Sequence, residues 1–232
     1  IGGDYYDFFP VNETRMLFLL SDVAGRRAEA LNIAAALQDT TRERAVELLG
    51  DQDANVSDGV TALALELNRT VIQTAGGVRP APTFLACLDE QFGLLHYVNA
   101  GHTPAFIGSD GNVTQLDPTG LPLGLFSHAT HDAQVSVAPP GASIVMVSRG
   151  LVECSAGRNE FGAERVRQIL AEQTFSSAQE LCHVLLDCAV KFCEKPSSFG
   201  PQFAIAGFRH NQEPNDMTVV GLIRMVRTAA AA

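Results

Sequence analysis

Four points along the chain set a charged or amide side chain where an apolar run meets a turn. Asp4 stands in Gly2-Gly3-Asp4-Tyr5-Tyr6-Asp7, and Asp22 closes the run MLFLLSD ahead of Val23-Ala24-Gly25. Arg149 follows IVMVS and precedes Gly150, while Asn215-Asp216 opens the last apolar run, MTVVGLIRM. Carboxylates delivered to one place by distant strand ends are the donors that a hard cation such as Mg²⁺ or Mn²⁺ takes. Taken singly, each aspartate reads as a turn or cap residue, and only the set points to a cation. Arg149 fits neither reading, because a guanidinium stays charged and cannot ligate a metal. It either supplies the counter-charge to Asp22 and its neighbours, or it turns to solvent and pairs with Glu153.

The elements that must position these groups are legible as two periodicities. Residues 16–21, 84–88, 94–98 and 144–147 are short apolar runs that read as buried strands, and 217–225 as a final one. Asp110-Gly111 between AFIGS and NVTQL is a hairpin signal. Val60, Leu63, Ala64, Leu67 and Val71 keep helical spacing, as do Leu181, Val184, Leu185, Cys188 and Phe192 behind a Ser177…Glu180 cap. Residues 28–49 form a third helical tract. Hairpin-linked strands with segregated helices predict an α+β plan of antiparallel sheet. Residues 1–226 read as one domain; the closing 227–232, RTAAAA, reads as an appended scar.

Composition narrows the function. A net charge of −10 argues against a nucleic-acid partner, which needs a basic face. No apolar stretch reaches the roughly 18 residues of a membrane span. Five cysteines without a CxxC pair, three of them in one helical pattern, read as core residues of a reduced, cytoplasmic protein with no disulfide frame or zinc site. The start at Ile1, without methionine, reads as a fragment with a sensor domain upstream. His102 reads as a turn residue bonding its own backbone, and His128 with His131 lacks a third metal partner. Arg26, Arg27, Arg42 and Arg44 read as a solvated helix face.

The motifs GGDYYD (2–7), SDVAG (21–25), NAGHTP (99–104), GLPLGL (120–125), SRGLVE (148–153), FGAERV (161–166) and NDMTVV (215–220) together resemble one family. It is the bacterial PPM-type, metal-dependent serine/threonine phosphatases of the stage II sporulation protein E-like group, which run partner-switching pathways. The resemblance implies a four-layer αββα sandwich, two antiparallel sheets flanked by helices, with two metals at one sheet edge. It implies attack of metal-activated water on a phosphoserine or phosphothreonine. It places metal ligands at Asp4, Asp22 and the Val23 carbonyl. The family's two other ligand aspartates fall at Arg149 and Asn215, so an arginine and an amide replace them, with Asp216 one place late. The expectation is therefore a degraded site holding at most one Mg²⁺ or Mn²⁺ on Asp4, Asp22 and the Val23 carbonyl, with Asp216 a further candidate ligand. Whether Asp7, Glu153 or Asp216 compensates for a lost ligand is left open by the sequence. No catalytic side chain is assigned. The functional expectation is a weak or inactive pseudophosphatase that binds a regulatory phosphoprotein. The alternative is an active Mn²⁺- or Mg²⁺-dependent phosphatase acting on an anti-sigma-factor antagonist.

Overall fold

The computed structural model describes residues 3–25, 27–194 and 216–225 of the 232-residue chain. β1 (Gly3–Pro10) and β2 (Arg15–Val23) form an antiparallel hairpin, followed by the helices α1 (Arg27–Leu49) and α2 (Val56–Ala75). Then come β3 (Thr83–Asp89), β4 (Leu94–Ala100), β5 (Ala105–Ser109), β6 (Asn112–Leu116), β7 (Gln134–Val137) and β8 (Ser143–Val147). A one-turn helix α3 (Arg149–Val152) leads into the small hairpin β9 (Ser155–Ala156) and β10 (Asn159–Glu160). The helices α4 (Gly162–Glu172) and α5 (Ala178–Cys193) and the strand β11 (Val219–Ile223) complete the chain.

The strands form a five-stranded sheet, β1-β2-β3-β4-β7, and a four-stranded sheet, β11-β8-β5-β6, with every ladder antiparallel. Three apolar layers hold the sandwich together. On β2, Leu17 and Leu19 pack beneath α1 and α2, while Phe18 and Leu20 face the other sheet. On β8, Ile144 and Met146 face that same middle layer, and Val145 and Val147 pack under α4 and α5. Covering both faces is why these strands read as unbroken apolar runs instead of alternating ones. The arrangement is the αββα sandwich expected from the sequence.

Local chemistry explains the elements. On α1, Ala30, Ile33, Leu37, Thr41, Ala45 and Leu49 recur every three or four residues and are all buried. Asn55 caps α2 by accepting from the Ser57 and Asp58 amides, and Gly76 ends it in the left-handed conformation. Gly59 lets α1 and α2 cross closely: a Cβ there would lie 2.9 Å from the Leu48 carbonyl and against Leu49. Arg15 is buried at the start of β2. Its Nη1 donates to the Leu49 and Asp51 carbonyls (2.9 and 2.6 Å) and its Nη2 to those of Gln52 and Ala54 (2.8 and 3.2 Å). Asp89 balances its charge at 3.5 Å. One guanidinium thus closes the α1–α2 connection onto the sheet.

The structure departs from the sequence reading in several places. β7 was not expected; its four residues, QVSV, carry too little periodicity to announce a strand. Arg149 starts a one-turn helix where a tight glycine turn was expected. Arg42 is not a free surface residue: its Nε and Nη2 both donate to the Asp7 carboxylate at 2.8 Å, and it lies over the Phe9 ring. Arg44 pairs with Glu47. The expectation of no disulfide is overturned by a bond between Cys154 and Cys193, 39 residues apart with Cα atoms 6.2 Å apart. Only Cys193 belongs to the helical pattern read from the sequence, and packing alone brings Cys154 to it. No helix among the described residues is long and apolar enough to cross a membrane. Arg26 and Asn215 lie outside the described residues.

Candidate functional site

The site forms where one end of each sheet meets the other. Asp4 and Asp22 are direct partners in the β1–β2 register. From the second sheet, Val147 at the end of β8 pairs with Val219 at the start of β11, which brings Ser148, Arg149 and Asp216 to the same edge. Ser148 clamps the two strands. Its amide donates to the Thr218 carbonyl (2.9 Å), its Oγ accepts from the Thr218 amide (2.9 Å) and donates to the Asp216 carbonyl (3.1 Å). The Asp216 carboxylate lies beside Gly3, with Oδ2 3.6 Å from where a Cβ on that glycine would sit.

Arg149 pairs with Asp22 across the two sheets, Nε to Oδ2, at 3.1 Å. The same Nε lies 3.7 Å from Glu153 Oε1, so both partners considered from the sequence share one nitrogen. The arginine side chain is 53% exposed and that of Asp22 16%. Among the described residues Asp4 has no such cation. Burial raises its pKa above the usual carboxylate value, the Thr218 and Ser148 hydroxyls pull it back, and the charges of Asp22 and Asp216 raise it further. Its Oδ2 is buried with no hydrogen-bond partner among the described residues. A buried carboxylate oxygen without a partner, within the field of Asp22 and Asp216, is the kind of oxygen a hard cation takes up. The side-chain oxygens at this edge that could meet a cation are those of Asp4 and the Asp22 oxygen not held by Arg149. The fit does not extend to the Arg149 side, where a guanidinium occupies the position. Among the described residues no three His, Cys, Asp or Glu side chains are drawn together in metal-ligating geometry.

Behind this edge stands a polar brace that the sequence motifs marked but did not explain. Asn99 Oδ1 accepts from the His102 amide (2.9 Å), its Nδ2 donates to the Leu116 carbonyl (3.1 Å), and its own carbonyl accepts from the Thr119 amide (2.8 Å). NAGHTP and the segment leading into GLPLGL are therefore one unit. Gly101 sits at φ +67° with Pro122 closing over it; a Cβ there would fall 2.6 Å from the proline Cδ. The Thr103 hydroxyl donates to the Val147 carbonyl, which fixes the strand end just ahead of Ser148 and Arg149. His102 is buried, with Nδ1 3.1 Å from the Thr103 carbonyl, the local backbone contact expected of it. Burial lowers its pKa to about 4, opposed by that backbone bond and by Asp22 and reinforced by Arg149. It is neutral at pH 7. His131 is buried, away from any ligand set, and His128 lies against Phe126. Ser148, Thr218 and Thr103, which do the positioning, sit within the quoted motifs but were not singled out, because hydroxyls carry no periodic signal.

The fold is that of a PPM phosphatase-like domain. The family model of Stage II sporulation protein E (SpoIIE) matches residues 12–198, and the chain belongs to that family. It is 24% identical to Protein IcfG of Synechocystis sp. (strain ATCC 27184 / PCC 6803 / Kazusa), covering 90% of this chain and 36% of that protein. It resembles the RsbU and RsbW domains of Rv1364c from Mycobacterium tuberculosis, with 24% identity and a TM-score of 0.66 over 82% of this chain and 52% of the other. It resembles the PP2C phosphatase domain of SpoIIE from Bacillus subtilis, with 15% identity and a TM-score of 0.71 over 96% and 58%. RsbX, at 13% identity and a TM-score of 0.63 over 96% and 88%, is solved in complex with magnesium. The chain thus spans about a third of IcfG and about half of the Rv1364c chain.

Proposed function

We propose that this domain binds a regulatory phosphoprotein through a phosphatase fold whose two-metal site has lost one subsite, leaving hydrolysis weak or absent. The observation that carries the reading is the Arg149 Nε to Asp22 Oδ2 distance of 3.1 Å. A second cation at that edge would meet a fixed positive charge; two unit charges about 4 Å apart repel by roughly 4 kcal/mol at a surface-like dielectric. By the family resemblance, the sequence carries a neutral amide, Asn215, at a position where a ligand carboxylate is expected. One Mg²⁺ or Mn²⁺ fits the donors that remain, Asp4, Asp22 and the Val23 carbonyl, with Asp216 as a further donor.

A divalent ion bound there would supply Lewis-acid polarisation of a phosphoryl oxygen. The chain's own part is to hold the carboxylates at the edge, with the Thr218 hydroxyl favouring the charged form of Asp4 and Arg149 fixing Asp22. The ligand class is a phosphoserine or phosphothreonine on a cytoplasmic regulatory protein such as an anti-sigma-factor antagonist. The alternative, an active Mn²⁺- or Mg²⁺-dependent phosphatase acting on the same kind of protein, is favoured by family membership and by the paired Asp4 and Asp22.

Hydrolysis of an aryl phosphate with and without Mn²⁺ separates the two. The wild-type chain should stay near the background rate, and the double variant Arg149→Asp, Asn215→Asp should gain Mn²⁺-dependent turnover. A wild-type rate that depends on Mn²⁺ and exceeds that of the double variant overturns the pseudophosphatase reading.

A further inference from the structure

The turn that carries Arg149 is a poor structure by itself. α3 has four residues, and a single helical turn does not hold without outside support. Its N-cap, Ser148, makes no side-chain cap bond to the helix, because its hydroxyl is committed to Thr218 and Asp216. Support at the far end comes from Cys154, which follows the C-cap residue Glu153 and whose carbonyl accepts from the Phe161 amide at 2.8 Å. Cys154 is bonded to Cys193, the last residue of α5. There Phe192 meets Phe161 edge-on at 5.7 Å, and the Arg165 guanidinium lies 4.5 Å over the Phe192 ring. α5 itself packs along β11.

We infer that Cys154 and Cys193 are a reversible thiol–disulfide site whose oxidation state sets how firmly the Arg149 turn is held over Asp22. Their Cα separation of 6.2 Å lies inside the range a disulfide spans without backbone movement. The other three cysteines are free. Burial pushes the Cys87 thiol up to about 12 and raises that of Cys182, which keeps both protonated and slow to react. Cys193 is partly exposed and Cys154 is buried, so an oxidant reaches the pair through Cys193.

The chemistry balances with a peroxide or a small-molecule disulfide as oxidant. Cys193 thiolate attacks a peroxide oxygen, and water leaves on protonation. The Cys154 sulfur then displaces a second water from the resulting sulfenic acid as the S–S bond forms. With a small disulfide, two exchange steps release two small thiols in place of the waters. A dithiol reductant reverses either route. Oxidation joins the end of α5 covalently to the end of α3; reduction removes that tether and leaves the far end of α3 held by the Cys154–Phe161 backbone bond and the burial of Leu151 and Val152.

The test uses the full chain, purified reduced and then treated with hydrogen peroxide or glutathione disulfide. Thiol labelling in denaturant should fall from five to three groups, with peptide mapping joining 154 to 193. Amide exchange at residues 149–153 should slow several-fold on oxidation and recover with dithiothreitol. Cys193→Ser, at the helix end, should show neither effect. If that variant folds poorly, the wild-type chain before and after reductant gives the same comparison. The inference fails if no 154–193 link forms under either oxidant, or if dithiothreitol cannot reopen it. It fails equally if the link forms and exchange at 149–153 is unchanged. None of these readouts depends on whether the domain hydrolyses phosphate, so failure here leaves the pseudophosphatase reading standing, and the converse holds.

Discussion

Asp4 and Asp22 face each other as register partners on β1 and β2, yet among the described residues only Asp22 has a cation, the Arg149 Nε 3.1 Å away. The edge is therefore asymmetric, with one carboxylate neutralised from within the chain and its neighbour left with an orphaned, buried oxygen. That asymmetry sets the sign of what substitution at Arg149 should do.

Arg149→Ala should cost only about 1 kcal/mol of stability in urea denaturation without metal, since the guanidinium is 53% exposed and solvent screens such pairs. The same variant should bind Mn²⁺ more tightly than the wild-type chain in a calorimetric titration, because the competing charge is gone. Unchanged or weaker Mn²⁺ binding would mean that the arginine does not guard the site.

His102 should make stability fall in mild acid. Its folded pKa of about 4 lies below the ordinary 6.5, so the unfolded chain takes up a proton first as pH drops. The stability contributed by the neutral ring is intact above pH 6.5 and lost progressively down to about 4. Full expression of that shift is worth about 3 kcal/mol. His102→Leu should flatten the dependence of urea midpoints over this window, on top of smaller contributions from His96 and His131, whose pKa values burial also lowers. A variant with the wild-type slope would assign the acid sensitivity elsewhere.

Arg15→Ala should be the most damaging of the three. It removes four hydrogen bonds to backbone carbonyls and leaves the buried Asp89 carboxylate without its counter-charge, a loss of about 3 to 5 kcal/mol. Arg15→Lys should recover only part of it, because an ammonium cannot span the carbonyls that the guanidinium fork reaches. Equal urea midpoints for the lysine variant and the wild-type chain would contradict this.

The layers of this fold are written locally, and that is why they can be read. Leu17 to Leu20 alternate between two apolar layers, and Val60 to Val71 keep a helical stripe; both patterns survive in a window of a dozen residues. Asp110-Gly111 also needed only its own geometry, and the turn has both residues at positive φ. The convergence of Asp22 with Arg149 was accessible because both close apolar runs whose fold the motifs implied. What stayed hidden depends on residues far apart in the chain. The Arg15 clasp joins positions 34 to 39 residues away, and Cys154 meets Cys193 across 39. Neither leaves a periodic trace, since a single polar side chain specifies a partner only once packing has delivered it. The short helix at Arg149 was hidden for the related reason that one turn is too brief to carry a pattern.

A cation drawn from solution neutralises a carboxylate only while its concentration holds, and a chelator can strip it away. The guanidinium on Asp22 is tethered through its own backbone, so dilution does not lower its local concentration and no chelator can remove it. Charge balance at that strand end is inherited with the gene and no longer borrowed from the medium.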